Sequence, residues 1–245
     1  MQKPLQDYIN GEFSTPTVHR GIWLENPNTR EKLQEQMATD EVNIEKALAS
    51  AQEAHESGVW SEMSVDERCG YLAEFSTAID KRKDEISRLE SLTTGVPISL
   101  TTMFQIILTG AWHLANEQLK SGWTLSTHEG FTGRTVEVHR KPLGVALCLV
   151  PWNAPAPMAV HKAANSLAAG CPTILKPTEW SPNGCDILAE AAHEAKLPKG
   201  VFQIVHGGPD VGGKLVKDSR VRAVSFTGGL EGGRAIAREC AFEMK

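Results

Sequence analysis

The chain has 245 residues, 41% hydrophobic and 22% charged, the composition of a globular protein long enough to bury a core. Its formal net charge of -5 gives no basic field for a phosphodiester backbone, so nucleic acid is not an expected partner. Residues 1–10 are polar where a secretory leader is apolar, no stretch approaches the ~20 apolar residues of a membrane span, and Cys69, Cys148, Cys171, Cys185 and Cys240 lack disulfide or zinc-ligand spacing, so a cytoplasmic protein with reduced thiols, no membrane contact and no metal site is expected.

Asn10-Gly11, flanked by Tyr8-Ile9 and Glu12-Phe13, is a hairpin signal, because both turn residues tolerate positive φ. It predicts a small antiparallel pair over residues 7–25. Asp40 then precedes Ile44, Ala47, Leu48, Ala51 and Ala54, which line one face of an amphipathic helix. Ser64 and Glu67 have capping-box spacing, and Leu72, Phe75, Ile79, Ile86 and Leu89 predict one long helix over 64–92, ended by Gly95 and Pro97. A further helix is expected over 101–120, and alternation around Val136 and Val138 predicts a half-exposed strand over 134–140. Up to residue 140 no residue suggests chemistry.

From residue 143 the pattern changes. Residues 143–150, 173–175 and 201–205 are short apolar runs of the kind that form strands covered on both faces, and 221–226 supplies a fourth strand. Helical patterns follow at 157–169, 182–196, 209–217 and 230–244, and the alternation implies a parallel, doubly wound α/β sheet. In such a sheet ligands bind beyond the carboxyl ends of the strands, at the loops that lead into helices.

Four loops therefore matter. In the first, PWNAP at 151–155, Asn153 is placed to donate its amide to a developing oxyanion or, alternatively, to bond loop backbone. In the second, KPTE at 176–179, Lys176 suits ribose hydroxyls or phosphate and Glu179 a ribose 2'-hydroxyl, which disfavours a 2'-phosphate; a solvated ion pair is the alternative. The third, with Gly208, Gly212 and Lys214, has the spacing of a phosphate-binding GxxxxGK loop, but Leu215 stands where a hydroxyl would bind magnesium. The fourth, with Phe226, Thr227, Gly228, Gly229, Gly232 and Gly233, allows close backbone approach to a pyrophosphate at a helix N-terminus. The GxGxxG fingerprint of an ordinary Rossmann dehydrogenase is absent.

Taken in order, PWNAP, KPTE, GGPDVGG at 207–213 and FTGGLEGG at 226–233 resemble the aldehyde dehydrogenase superfamily, as do YINGEF and Asn26-Pro27-Asn28-Thr29 nearer the start. The resemblance implies an atypical Rossmann-type fold and oxidation of an aldehyde with hydride transfer to NAD, NADP being the second candidate. It assigns Asn153 to the oxyanion of a thiohemiacetal, Trp152 to the cofactor cleft, Lys176 and Glu179 to the adenosine ribose, and Phe226, Thr227 and Gly228 to the pyrophosphate. Two positions depart from the family pattern. Ala154 replaces the usual aromatic residue, and Gly229 replaces the usual serine, removing a hydroxyl from the phosphate turn.

In that family an ELGG glutamate acts as general base and a later cysteine as nucleophile, and Lys245 closes this sequence before either. The expectation is thus a truncated, N-terminal NAD(P)-binding portion, inactive alone. Its expected parts are an N-terminal hairpin and helices (1–125), a strand of an oligomerisation-type hairpin (126–142) and a Rossmann-like core (143–245). Its expected partners are a small aldehyde and a second copy in a homo-oligomer. The competing readings are a non-catalytic nucleotide-binding or subunit-interaction module and a P-loop-like nucleotide binder.

Overall fold

The structure, a computed structural model, describes residues 3–122 and 124–245, so the first two residues of the polar opening segment lie outside it. The N-terminal hairpin forms from β1 (Asp7–Ile9) and β2 (Glu12–Ser14), with Tyr8 opposite Phe13. Asn10 and Gly11 turn it at φ of 53° and 80°. One antiparallel pair over 7–25 was too simple a reading. A second ribbon pairs β3 (Val18–Glu25) with β4 (Lys32–Ala38). Its register shifts between His19 and Trp23, around Gly21 at φ 66°, and that irregularity breaks the two-residue alternation that marks a strand in sequence.

Helix α1 (Glu41–Glu56) starts as expected, with Asp40 accepting from the Asn43 N–H at 2.8 Å. The single helix expected over 64–92 is two, α2 (Val65–Asp80), with the Ser64/Glu67 capping box, and α3 (Lys83–Thr94). Between Ile79 and Ile86 the chain has no apolar residue, and Arg82 at φ -113°, ψ 2° leaves the helix there. A spacing of seven between Ile79 and Ile86 fits two helical turns as well as it fits a break, so spacing alone hides the kink. The next helix is likewise divided, into α4 (Ile98–Met103) and α5 (Gln105–Lys120). Contrary to the reading of no span-length stretch, Ile98–Lys120 is long and apolar enough by length and hydropathy to cross a membrane. It is interrupted at Phe104, however, and packs Leu108, Trp112, Ala115 and Leu119 into the core. An exposed hairpin, β5 (Leu125–Glu129) with β6 (Thr135–His139), follows.

The remaining elements alternate as β7 (Val145–Leu149), α6 (Pro155–Ala168), β8 (Thr173–Lys176), α7 (Asn183–Glu194), β9 (Phe202–Ile204), α8 (Pro209–Lys217), β10 (Val221–Phe226) and α9 (Leu230–Glu243). One six-stranded sheet has the order β10-β7-β8-β9-β1-β2. Its β10-β7-β8-β9 part is parallel, and the N-terminal hairpin extends it, β1 running antiparallel to β9. The hairpin is therefore the far edge of the same sheet and not a separate preface to it.

Side chains alternate across the sheet. Cys148, Leu175 and Phe202 join one buried cluster with Trp60, Phe75, Trp112 and Leu167, under α2, α5, α6 and α7. Leu147, Leu149 and Ile174 join the other, with Leu48 of α1 and Leu215 of α8. Trp60 is fixed within the first cluster by donating its indole N–H to the Leu167 carbonyl at 2.9 Å. From β7 the chain builds outward through β8 and β9, then crosses back to place β10 on the other side of β7. That reversal opens a crevice at the carboxyl ends of β7 and β10, where doubly wound sheets bind ligands.

Candidate functional site

The crevice holds a cleft of about 850 Å³, inside the range of pockets that take a cofactor-sized ligand. Trp152 and Asn153 enter it from the β7 loop, Lys176 and Glu179 from the end of β8, Gly212 from α8, and Phe226, Thr227, Gly228 and Gly229 from the end of β10. Elements distant in sequence thus bring ten of the thirteen residues singled out above, Gly232 of α9 among them, to one cavity.

Gly208 and Gly233 do not line it. At Gly208 a Cβ would lie 2.6 Å from the Arg20 guanidinium of β3. At Gly233 a Cβ would lie 3.4 Å from the Phe226 ring, and at Gly228 only 2.5 Å from it. Gly228 therefore accommodates the Phe226 ring, while the other glycines of the fourth loop leave it looser contact or none. Lys214, the lysine of the GxxxxGK spacing, pairs with Glu41 on α1 and also lies off the cleft lining.

Around the cleft the chemistry is mixed. Lys176 is 6% exposed, and burial pulls its ammonium down to about 8 against the opposing influence of Glu179 and Asp210. In the protein it donates to the Pro177 carbonyl at 2.8 Å, leaving two of its three N–H groups for a ligand. Glu179, half-buried, is the carboxylate beside it. Asn153 is exposed and its carboxamide has no hydrogen-bond partner among the described residues, so the loop-backbone alternative does not occupy it. Thr227 ties its turn to β7 by donating its N–H to the Leu149 carbonyl at 3.2 Å. Helix α9 begins at Gly229 with no side-chain cap, which leaves first-turn N–H groups and the positive end of the helix dipole free for an anion. Val216 and Ile236 supply apolar wall for a flat ring.

The set fits a dinucleotide: open N–H groups for the pyrophosphate, a cation and a carboxylate for ribose hydroxyls, and apolar surface for a base. No cysteine is among the described residues that line the cleft. Cys69, Cys148, Cys171 and Cys185 are buried elsewhere, and burial pushes the Cys148 thiol up to about 11.

Sequence reasoning missed Lys162. It lies within the buried face of α6, between Val160 and Ala163, and is 8% exposed. Its ammonium, lowered by burial, donates to the Ser225 hydroxyl of β10 at 2.8 Å. A lysine inside an apolar helical stripe was the available signal, because such a group is buried only with a partner.

Comparison with known proteins agrees with this geometry. Residues 15–245 match the Aldehyde dehydrogenase family. Geranial dehydrogenase of Castellaniella defragrans is 32% identical over 238 residues, covering 96% of this chain and 49% of that protein. The NADP(+)-dependent succinate-semialdehyde dehydrogenase of Escherichia coli is 32% identical over 246 residues, 98% of this chain and 50% of its own length. Among solved structures, a mutant aldehyde dehydrogenase C from Pseudomonas syringae, complexed with NAD+ and octanal, superposes with a TM-score of 0.90 at 29% identity. The match covers 100% of this chain and 50% of that one. The chain spans about half the length of the curated relatives it matches.

Proposed function

Because the chain belongs to the aldehyde dehydrogenase family, we propose that it is the dinucleotide-binding portion of an enzyme that oxidises an aldehyde to a carboxylic acid, with NAD as the preferred cofactor. The observation that carries this reading is the convergence of Asn153, Lys176 and Thr227, from the ends of three different strands, on one cleft. Bound there, NAD would accept the hydride that leaves the substrate carbon. The chain's own residues bind and orient. Lys176 and Glu179 hold ribose hydroxyls, the turn at 227–229 and the open end of α9 hold the pyrophosphate, and Asn153 offers an N–H to an oxygen that gains negative charge. Glu179 favours NAD, since its carboxylate accepts from a ribose 2'-hydroxyl and repels a 2'-phosphate.

No cysteine that could act as nucleophile is among the described residues that line the cleft. In this reading the 245-residue chain binds NAD+ but forms no NADH from an aldehyde. Calorimetric titration of the folded chain with NAD+ and NADP+ tests the first part: saturable one-to-one binding, tighter for NAD+, is expected, and a folded chain that binds neither overturns it. Robust aldehyde-dependent turnover that survives thiol alkylation overturns the second.

A non-catalytic role in subunit contact has one observation in its favour. The β5–β6 hairpin exposes Leu125, Phe131, Val136 and Val138, an apolar surface suited to a second copy of the chain. Sedimentation of the folded chain, monomer or dimer, decides whether that surface is used. A P-loop role has less support, because Lys214 is engaged by Glu41 away from the cleft.

A further inference from the structure

Helix α6 begins immediately after the loop that carries Trp152 and Asn153, yet it lacks a cap of its own. Its N-cap position is Ala154, which has no side-chain acceptor, and Pro155 follows it. The acceptor comes from elsewhere: Glu90 of α3, 2% exposed, takes the Ala156 N–H on Oε1 at 2.6 Å. Helix α7 closes on the same carboxylate, for a Cβ at Gly184 would lie 3.2 Å from Glu90 Oε1. Two helix N-termini thus converge on one buried carboxylate, the arrangement that favours negative charge there. A second tether holds the loop from its other side, where the Ser181 hydroxyl donates to the Trp152 carbonyl at 2.7 Å. Asn153 lies between these two anchors.

We propose that Glu90 is a positioning residue for Asn153: by capping α6 from α3 it fixes the loop that presents the carboxamide and the Trp152 indole to the cleft. The geometry stands by itself, and only its consequence for ligand binding rests on the dinucleotide reading. Burial pushes the Glu90 carboxyl up to about 7, opposed by the Ala156 N–H, so it changes charge in the neutral range while the ionised form is the stronger acceptor. Of the elements around it, α7 presents the Cys185 thiol, itself raised well above its usual range by burial and by Glu90. Asp186, next on α7, meets His206 instead. The first turn of α6 and all of α4 carry no titratable side chain, and the first on α5 is His113. On α3, Glu85 pairs with Lys3.

Hydrogen exchange of the whole 245-residue chain and its Glu90→Gln and Glu90→Ala variants tests this. In the wild type, protection of the Ala156 amide relative to its intrinsic rate should rise between pH 6 and 8. In Glu90→Gln, which keeps an acceptor but no charge, protection should be independent of pH over that range. In Glu90→Ala it should fall about tenfold or more, with protection in β8 unchanged and NAD+ affinity reduced about tenfold. Wild-type protection of Ala156 in Glu90→Ala overturns the proposal, as does a loss spread equally into β8. If Glu90→Ala fails to fold, Glu90→Gln decides, and a wild-type pH profile in that variant overturns the assignment. A wild-type chain that binds no NAD+ would sink the dinucleotide reading while leaving the exchange result to judge Glu90.

Discussion

A Cβ placed on Gly212 would lie 3.5 Å from Cε of Lys176, so the first turns of α8 rest against the stem of the lysine at the tip of β8. This is ordinary van der Waals distance, and Gly212→Ala should fold with stability within ~1 kcal/mol of wild type, helped by alanine's better helix propensity. A branched side chain has no such room and must enter the cleft. Gly212→Val should weaken NAD+ binding by about tenfold or more, read by calorimetry, with little change in the thermal midpoint. Equal NAD+ affinity in the valine variant would place the ligand elsewhere.

Because burial holds the Lys176 ammonium down to about 8, its charge is lost as pH rises through that value. NAD+ affinity should therefore decline between pH 7 and 9. In Lys176→Met affinity should be lower by about 10- to 100-fold at pH 7, the cost of removing a charged hydrogen-bond donor, and should no longer depend on pH in this window. Stability has the opposite sign. With the folded value below the unfolded one of about 10.5, the unfolded chain binds more protons between them, so wild type gains stability from this group as pH rises above 8. Denaturant titrations of wild type and Lys176→Met at pH 7 and 9.5 separate the two effects.

The loops of this site were legible in the sequence because the sheet's rule for ligand placement depends only on strand order, and apolar runs such as 143–150 reveal strands buried on both faces. Hence strand order alone brings Asn153, Lys176 and Thr227 together. What escaped were relations with no local signature. Gly208 and Gly233 looked like ligand approaches, but neither lines the cleft; Gly208 lies beside Arg20, far away in the chain, and Gly233 beside Phe226. Glu90 sits in an unremarkable charged helix, and its partner, the Ala156 N–H, is 66 residues on. The pairing of β3 with β4 was hidden by its bulge, and the break at Lys81-Arg82 by an apolar gap that suits two helical turns.

Glu179 sets the preference between cofactors in the proposed reading. Glu179→Gln removes the negative charge and keeps an acceptor, so NAD+ affinity should fall only a few-fold while NADP+ affinity rises about tenfold. Competition titrations at fixed ionic strength measure the ratio, which should shift less in high salt because the repelled phosphate is partly screened. An unchanged ratio would mean that the 2'-position lies out of reach of this side chain.

Gly200 tests the scaffold apart from the site. Its φ is 77°, and a Cβ there would stand 2.2 Å from the Ser50 carbonyl oxygen of α1. Backbone, not a flexible side chain, blocks the added atom, and the left-handed conformation adds its own cost. Gly200→Ala should lose about 3 kcal/mol or more, measured by chemical denaturation. A loss under ~1 kcal/mol would show that α1 shifts freely against the sheet.

Gly229 is the opposite case. At φ -68°, ψ 154° its backbone is one that any residue adopts, a Cβ would meet nothing within 4 Å, and as the N-cap of α9 it supplies no side-chain acceptor. Nothing in the fold demands glycine there. Serine in its place has two uses for its hydroxyl: to cap the helix, worth only a few tenths of a kcal/mol over glycine, or to donate to a pyrophosphate, worth more because the acceptor is charged. Gly229→Ser should therefore raise NAD+ affinity about three- to tenfold while moving the thermal midpoint little, and Gly229→Ala, with the Cβ but no hydroxyl, should not raise affinity. If serine raises the midpoint and leaves affinity alone, the hydroxyl is serving only the helix, and the pyrophosphate does not lie at this turn.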